Sequence, residues 1–304
     1  QRAAIADPNL AEALAAHVRG QDAALAYDLD DDLIDIPDDH PEADRLQARS
    51  VLVRQMLRLA SVITVSTPAL QAKLAKLGCR AVVVPNGLDE RLWSVAPPLR
   101  LPRQGPVRFL LMGTATHDRD FALIAPALEA LSTTFAERVS IGMIGMIAGD
   151  APPWIERVVV PSLPGGSYAA FVNWITRQPP WHVGVAPLAD SPFNACKSSI
   201  KTLDYAALGI AVLASDVPAY RGSLADGPGG MLVGASADDW FWAMNALVRG
   251  PARWETLARG AHDAWLRSGT LASQAALRRG VWRKAVTAPS VTLGNTRPAK
   301  RFKA

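Results

Sequence analysis

Short apolar runs alternating with helix-period segments constrain this chain more than any other feature. Residues 62–65, 81–84, 107–112, 139–147, 157–160, 183–187, 211–215 and 231–233 are rich in Val, Ile, Leu and Met. Turn or capping residues bound them, and apolar residues recur every three to four positions in most of the stretches between. Strands that are apolar on both faces and joined through helices make parallel sheets covered on both sides. At 304 residues the chain is long enough for two such cores. The hydrophobic fraction of 49% is too high for a disordered chain and suits a packed α/β protein.

The punctuation divides the chain. Residues 8–19 predict a helix with Leu10, Leu14 and Val18 on one face, followed by a short strand over 23–27. A helix over 42–59 comes next. Ser66-Thr67-Pro68 then reads as an N-cap with proline at the first helical position, opening a helix that closes on Gly78. Residues 96–106 are proline-rich without periodicity and read as a linker. The expected division is therefore 1–98, 99–288 and a basic, disordered tail over 289–304 carrying Arg297, Lys300, Arg301 and Lys303. Gln1 falls in mid-pattern, as in a fragment or a processed chain.

Several function classes drop out. Cys79 and Cys196 are the only cysteines, so neither a disulfide framework nor a Cys-rich zinc site is available. No apolar run reaches the roughly 20 residues that span a bilayer. There is no G-x-x-x-x-G-K-[ST], no H-E-x-x-H and no nucleophile-elbow serine. Basic residues are not interleaved with aromatics, which argues against nucleic acid. The net charge of +4 is modest.

Chemistry concentrates in residues 191–215, SPFNACKSSIKTLDYAALGIAVLAS, which read as loop, helix and buried strand. Lys197, Lys201 and Asp204 fall at helical spacing and are expected on one face, with Ser198 and Ser199 at the helix start and Gly209 at its end. A helix N-terminus with two hydroxyls and two lysines suits a phosphate, and a carboxylate farther along suits ribose hydroxyls. Ordinary solvated-face residues are the plain alternative. A second ligand loop follows the strand at 107–112: Gly113 leaves room beside the backbone, Thr114 offers a hydroxyl, and His117 and Arg119 offer charge-assisted donors. The acidic run Asp28-Leu29-Asp30-Asp31-Asp32 has two readings from its residues, a helix-capping loop or a magnesium-binding DxD.

Several strings carry a family resemblance. DYAALGIAVLAS at 204–215 resembles the family 4 glycosyltransferases of GT-B fold. Phe193-Asn194 with Lys197 and Lys201 resembles their bacterial polysaccharide-assembly type. VSTPALQAKLAKLG followed by VVVPNGLD resembles the end of that family's N-terminal domain, and GTATHDRD the first loop of its donor domain. YDLDDDL before Ile36-Pro37 is similar to a run that faces the interdomain cleft there.

The resemblance implies an α/β, GT-B-like fold of two Rossmann-like doubly wound domains, the N-terminal one truncated. It implies transfer of a sugar from a nucleotide-diphosphate sugar to a polysaccharide or lipid-linked glycan, with no cofactor and no metal. Lys197 and His117 would be catalytic; Gly113, Thr114, Arg119, Asn194, Ser198, Ser199, Lys201 and Asp204 would bind the donor, and Tyr168 its base. The protein would be cytoplasmic, touching the inner membrane face through its basic C-terminus. The family's paired acidic positions fall on Cys196 and Asp204, so only the second is a carboxylate. Retention of the anomeric configuration is what the family implies; inversion stays open. A non-catalytic nucleotide-sugar or glycan-binding module and a nucleotide-sugar isomerase are the other readings.

Overall fold

The computed structural model describes residues 5–94, 105–161 and 167–287. Most of the expected linker and the tail at 289–304 lie outside them.

Two parallel sheets form. The first holds β1 (Ala26–Leu29), β2 (Val62–Val65) and β3 (Ala81–Val83), in that order. Helices α1 (Pro8–Gly20), α2 (Ala43–Leu59) and α3 (Pro68–Lys76) are interleaved with them, and α4 (Glu90–Trp93) follows β3. Thr67 caps α3 through its hydroxyl, with Pro68 at the first helical position. The strand expected at 23–27 begins three residues later, so Asp28 is a strand residue whose carboxylate accepts from the Thr64 hydroxyl at 2.6 Å. α1 turns Ala11 and Ala15 inward and leaves Leu10 exposed, because small side chains let it sit close against α2.

The second sheet runs β6-β5-β4-β7-β8-β9. Its strands are β4 (Val107–Gly113), β5 (Val139–Gly145), β6 (Glu156–Arg157), β7 (Val183–Ala186), β8 (Ala211–Ser215) and β9 (Gly230–Val233). Helices α5 (Asp118–Phe135), α6 (Tyr168–Ile175) and α7 (Ile200–Ala207) lie between them, and α8 (Ala237–Arg249) and α9 (Pro251–Ala264) follow β9. The chain moves outward from β4 to β6, then returns to β7 on the other side of β4 and moves outward again. This is the doubly wound order, and its switch point lies between β4 and β7. Alternate β4 residues feed two cores: Phe109 and Leu111 one face, Leu110 and Met112 the other. Burial on both faces is why the run at 107–112 is apolar almost throughout. At the edge, β6 is only two residues long, shorter than the expected 157–160.

The strands flanking the switch point separate over one side chain. Their pairing ends at Leu111 with Val185. There the fully buried Tyr205 of α7 (Ile200–Ala207) accepts from the Met112 N–H at 3.0 Å and donates to the Val185 carbonyl at 3.1 Å. The phenol replaces a ladder rung and holds the crevice open. Tyr205→Phe should leave the Met112 N–H without its partner and cost about 1–3 kcal/mol. An unchanged thermal midpoint would show that the rung carries no weight.

Helix α10 (Leu271–Thr287) was not expected as a separate element, since its apolar pattern is broken by Arg278, Arg279 and Gly280. It returns to the first sheet, where Arg278 and Gln274 donate to the carbonyls of Pro85 at 2.8 Å and Asn86 at 3.1 Å.

Candidate active site

In a doubly wound sheet, ligands sit outside the carboxyl ends of the strands at the switch point. The loops after β4 and β7 carry most of the expected site residues, and the structure brings several of them together there. Gly113 ends β4. A methyl group on it would lie 2.8 Å from Met146 Sδ, 3.1 Å from the His117 ring and 3.3 Å from Lys201 Nζ. The room expected for a ligand at this glycine is taken by the protein's own side chains. Thr114 is exposed and shares a 2.9 Å hydrogen bond with Thr116.

His117 precedes α5 (Asp118–Phe135) and is buried. Its Nδ1 lies 2.6 Å from Asp120 Oδ2 and its Nε2 lies 3.1 Å from Lys201 Nζ. Asp120 also accepts the Ala189 N–H at 2.7 Å, joining the β4 loop to the β7 loop. Asp120 was not among the expected site residues. Its three-residue spacing from His117 was the available signal, obscured by the neighbouring Arg119.

Burial, offset in part by Asp120 and Asp204 and reinforced by Lys197, brings the Lys201 ammonium down to about 8. Burial also lowers His117 below its usual value, against its bond to Asp120 and with help from Lys201 and Lys197. Burial pulls Asp120 upward, but the bonds from His117 and Ala189 outweigh it and hold the carboxyl low. These groups form an ammonium, an imidazole and a carboxylate in sequence, with the ammonium at the end.

The loop after β7 differs from expectation. Residues Asn194–Cys196 make one 3₁₀ turn, Lys197 is extended, and α7 starts only at Ile200. Lys197 and Ser198 therefore precede the helix, and Lys197 does not share a helix face with Lys201 and Asp204. The cause is distant in sequence: the Ser198 hydroxyl accepts from the Asn86 side-chain amide at 2.8 Å. Ser199 occupies the N-cap position without making a side-chain capping bond. The Asn194 amide is engaged with the Ala189 carbonyl at 2.8 Å, and Lys197 lies over the Phe193 ring at 5.5 Å. Gly209 closes α7 with φ +72°, as its place in the sequence predicts. Asp204 accepts the Tyr168 hydroxyl at 3.0 Å, and burial, against that bond and Lys201, takes its carboxyl up to about 7.

A cleft of about 480 Å³ separates the two sheet units, lined by Pro37, Asp39, His40 and Pro41 on one side and by Arg119, Phe193, Asn194 and Lys197 on the other. Arg119 spans it in a 2.7 Å ion pair with Asp39. Cys196 packs among Leu29, Leu33, Leu70 and Leu74, and its carbonyl accepts the Thr67 hydroxyl at 3.0 Å. Cys196 is a buried free thiol there. The acidic run caps no helix; it folds back on its own loop. Asp32 is buried, accepts the Ile34 and Asp35 N–H groups and pairs with Lys73, while the Asp30 carbonyl accepts from Ser66. Among the described residues no group of three or more His, Cys, Asp or Glu is placed to hold a metal, and no helix is long and apolar enough to cross a membrane.

No family model and no curated protein matches the sequence. Solved structures do match the fold. Sucrose-phosphate synthase from Thermosynechococcus elongatus superposes with TM-score 0.63 at 17% identity, over 93% of this chain and 78% of that one. HepE from Anabaena, in complex with UDP and glucose, superposes with TM-score 0.62 at 13% identity, over 91% and 76%. A glycosyltransferase from Rickettsia africae gives 0.61 at 11%, over 92% and 82%. The chain has a GT-B-like α/β fold with two sheet-and-helix units.

Proposed function

We propose that the chain is a glycosyltransferase that moves a sugar from a nucleotide-diphosphate sugar to a polysaccharide or lipid-linked glycan, without a metal ion. The observation that carries this reading is the convergence of Lys201, His117 and the uncapped start of α7 on the switch-point crevice. A departing diphosphate needs positive charge aimed at it, and a fixed ammonium with helix N–H groups supplies that in a water-poor site. Lys197, on the cleft side of the same loop, adds a second cation. Asp204, deeper on α7, takes the ribose hydroxyls in exchange for its Tyr168 partner. The similarity in fold to HepE, a structure with UDP bound, supports a nucleotide at this place.

In this reading residues 1–98 form the acceptor side, 99–288 the donor side, and 289–304 a basic tail that meets the cytoplasmic face of a membrane. A non-catalytic nucleotide-sugar-binding module is the second reading. Two observations favour it: Cys196 replaces the first acidic position, and Arg119 is paired with Asp39 rather than pointing to the crevice.

The test is donor consumption across a panel of nucleotide sugars, with EDTA and then with magnesium restored. Release of nucleoside diphosphate that survives EDTA is expected. Thermal stabilisation by donors without release would select the binding module. Activity lost in EDTA and restored by magnesium would refute the metal-free mechanism.

A further inference from the structure

Asp120 holds two hydrogen bonds that together determine where a proton sits. One carboxylate oxygen accepts the Ala189 N–H at 2.7 Å, and the other lies 2.6 Å from His117 Nδ1. Ionised Asp120 has no proton to give, so Nδ1 must carry one. A neutral ring protonated there has a bare lone pair at Nε2, and that lone pair faces Lys201 Nζ at 3.1 Å. A proton on Nε2 would instead set two donors against each other. With Lys201 as the ammonium, a carboxylate and an Nδ1–H imidazole satisfy all three contacts together.

We infer that Asp120 is a positioning residue that fixes His117 as the Nδ1–H tautomer and so makes His117 the acceptor that aims Lys201. Second-neighbour carboxylates set ring tautomers in this way at other histidine sites. The Ala189 contact sharpens the consequence of a single substitution. In Asp120→Asn the backbone N–H claims the amide oxygen, which turns the amide NH₂ toward His117 Nδ1. An NH₂ there needs a lone pair on Nδ1, moves the ring proton to Nε2 and points it at Lys201. An isosteric change thus reverses the tautomer and takes away the acceptor that holds Lys201 in place. The same bond fastens the β7 loop to α5, but that structural part survives in the asparagine variant, because its amide oxygen still accepts from Ala189.

The experiment is two-bond ¹H–¹⁵N correlation of the histidine rings at pH 7, with His117 assigned among the five histidines by its absence in His117→Gln. The wild-type protein is expected to show Nδ1 protonated and Nε2 bare, and Asp120→Asn the reverse. A wild-type ring protonated at Nε2, or at both nitrogens, overturns the inference, as does an unchanged tautomer in a folded Asp120→Asn. Should that variant fail to fold, the wild-type spectrum decides alone.

A second readout rests on the proposed donor site: affinity for UDP should fall about tenfold or more in Asp120→Asn, with uridine affinity unchanged. A reversed tautomer with unaltered UDP affinity would support the positioning role and count against the diphosphate site. The two failures are therefore distinguishable.

Discussion

Lys201→Met is expected to weaken nucleoside diphosphate binding about tenfold or more and to leave nucleoside binding nearly unchanged. A charge-assisted hydrogen bond in a sheltered site contributes about 1.5–3 kcal/mol, and methionine keeps the length and apolar stem while removing the charge. The pH dependence gives the prediction a sign. Burial brings the Lys201 ammonium down to about 8, and a doubly charged ligand stabilises its protonated form. Diphosphate binding should take up protons near pH 8 and weaken as pH rises through that value. Calorimetry in buffers of different ionisation enthalpy measures the uptake, and Lys201→Met should abolish it.

The same shifts act on stability. Lys201 lies below its usual 10.5, so the folded protein binds fewer protons between about 8 and 10.5, and its contribution to stability rises with pH across that window. Asp204 lies above its usual 3.8, so the folded state binds more protons between there and about 7. Its contribution therefore falls as pH rises through that range. Equal losses for nucleoside and diphosphate in Lys201→Met would remove Lys201 from the phosphate site.

Gly184→Ala should be strongly damaging to the second sheet. A methyl group at β7 Gly184 would lie 2.3 Å from Tyr205 Cγ and 2.5 Å from both Cδ atoms. The ring cannot swing aside without breaking the bridge from Met112 to Val185, and α7 would move with it. Overpacking a rigid core commonly costs about 1–3 kcal/mol, and the double constraint places this site at or above the upper end. Thermal denaturation should show a loss of roughly 5 °C or more. In a Tyr205→Leu background the added loss should shrink, because the two changes share one contact. Equal losses in both backgrounds would mean that the glycine serves something other than ring clearance.

The second sheet was readable because its strands are buried on both faces, which makes them apolar runs with clear ends. The cap at Thr67-Pro68 and the stop at Gly209 were readable because they depend on neighbours within a few residues. What escaped depends on contacts far apart in sequence. The start of α7 shifts to Ile200 as Ser198 is held by Asn86, 112 positions away. Arg119 was expected to be a donor ligand, and a carboxylate from the other half, Asp39, pairs with it. The acidic run turned inward at Asp32 to cap its own loop and meet Lys73, a pairing invisible to local pattern. Asp120 was not singled out, because its partners are His117 and, 69 positions away, Ala189.

The most direct measurement of the central claim is a crystal structure with UDP bound. The diphosphate is expected outside the carboxyl ends of β4 and β7, with a phosphate oxygen on Lys201 Nζ and another at the N–H groups that open α7. The ribose should displace the Tyr168 hydroxyl from Asp204. UDP found only in the cleft beside Asp39 and Phe193, with Lys201 still on His117, would contradict it.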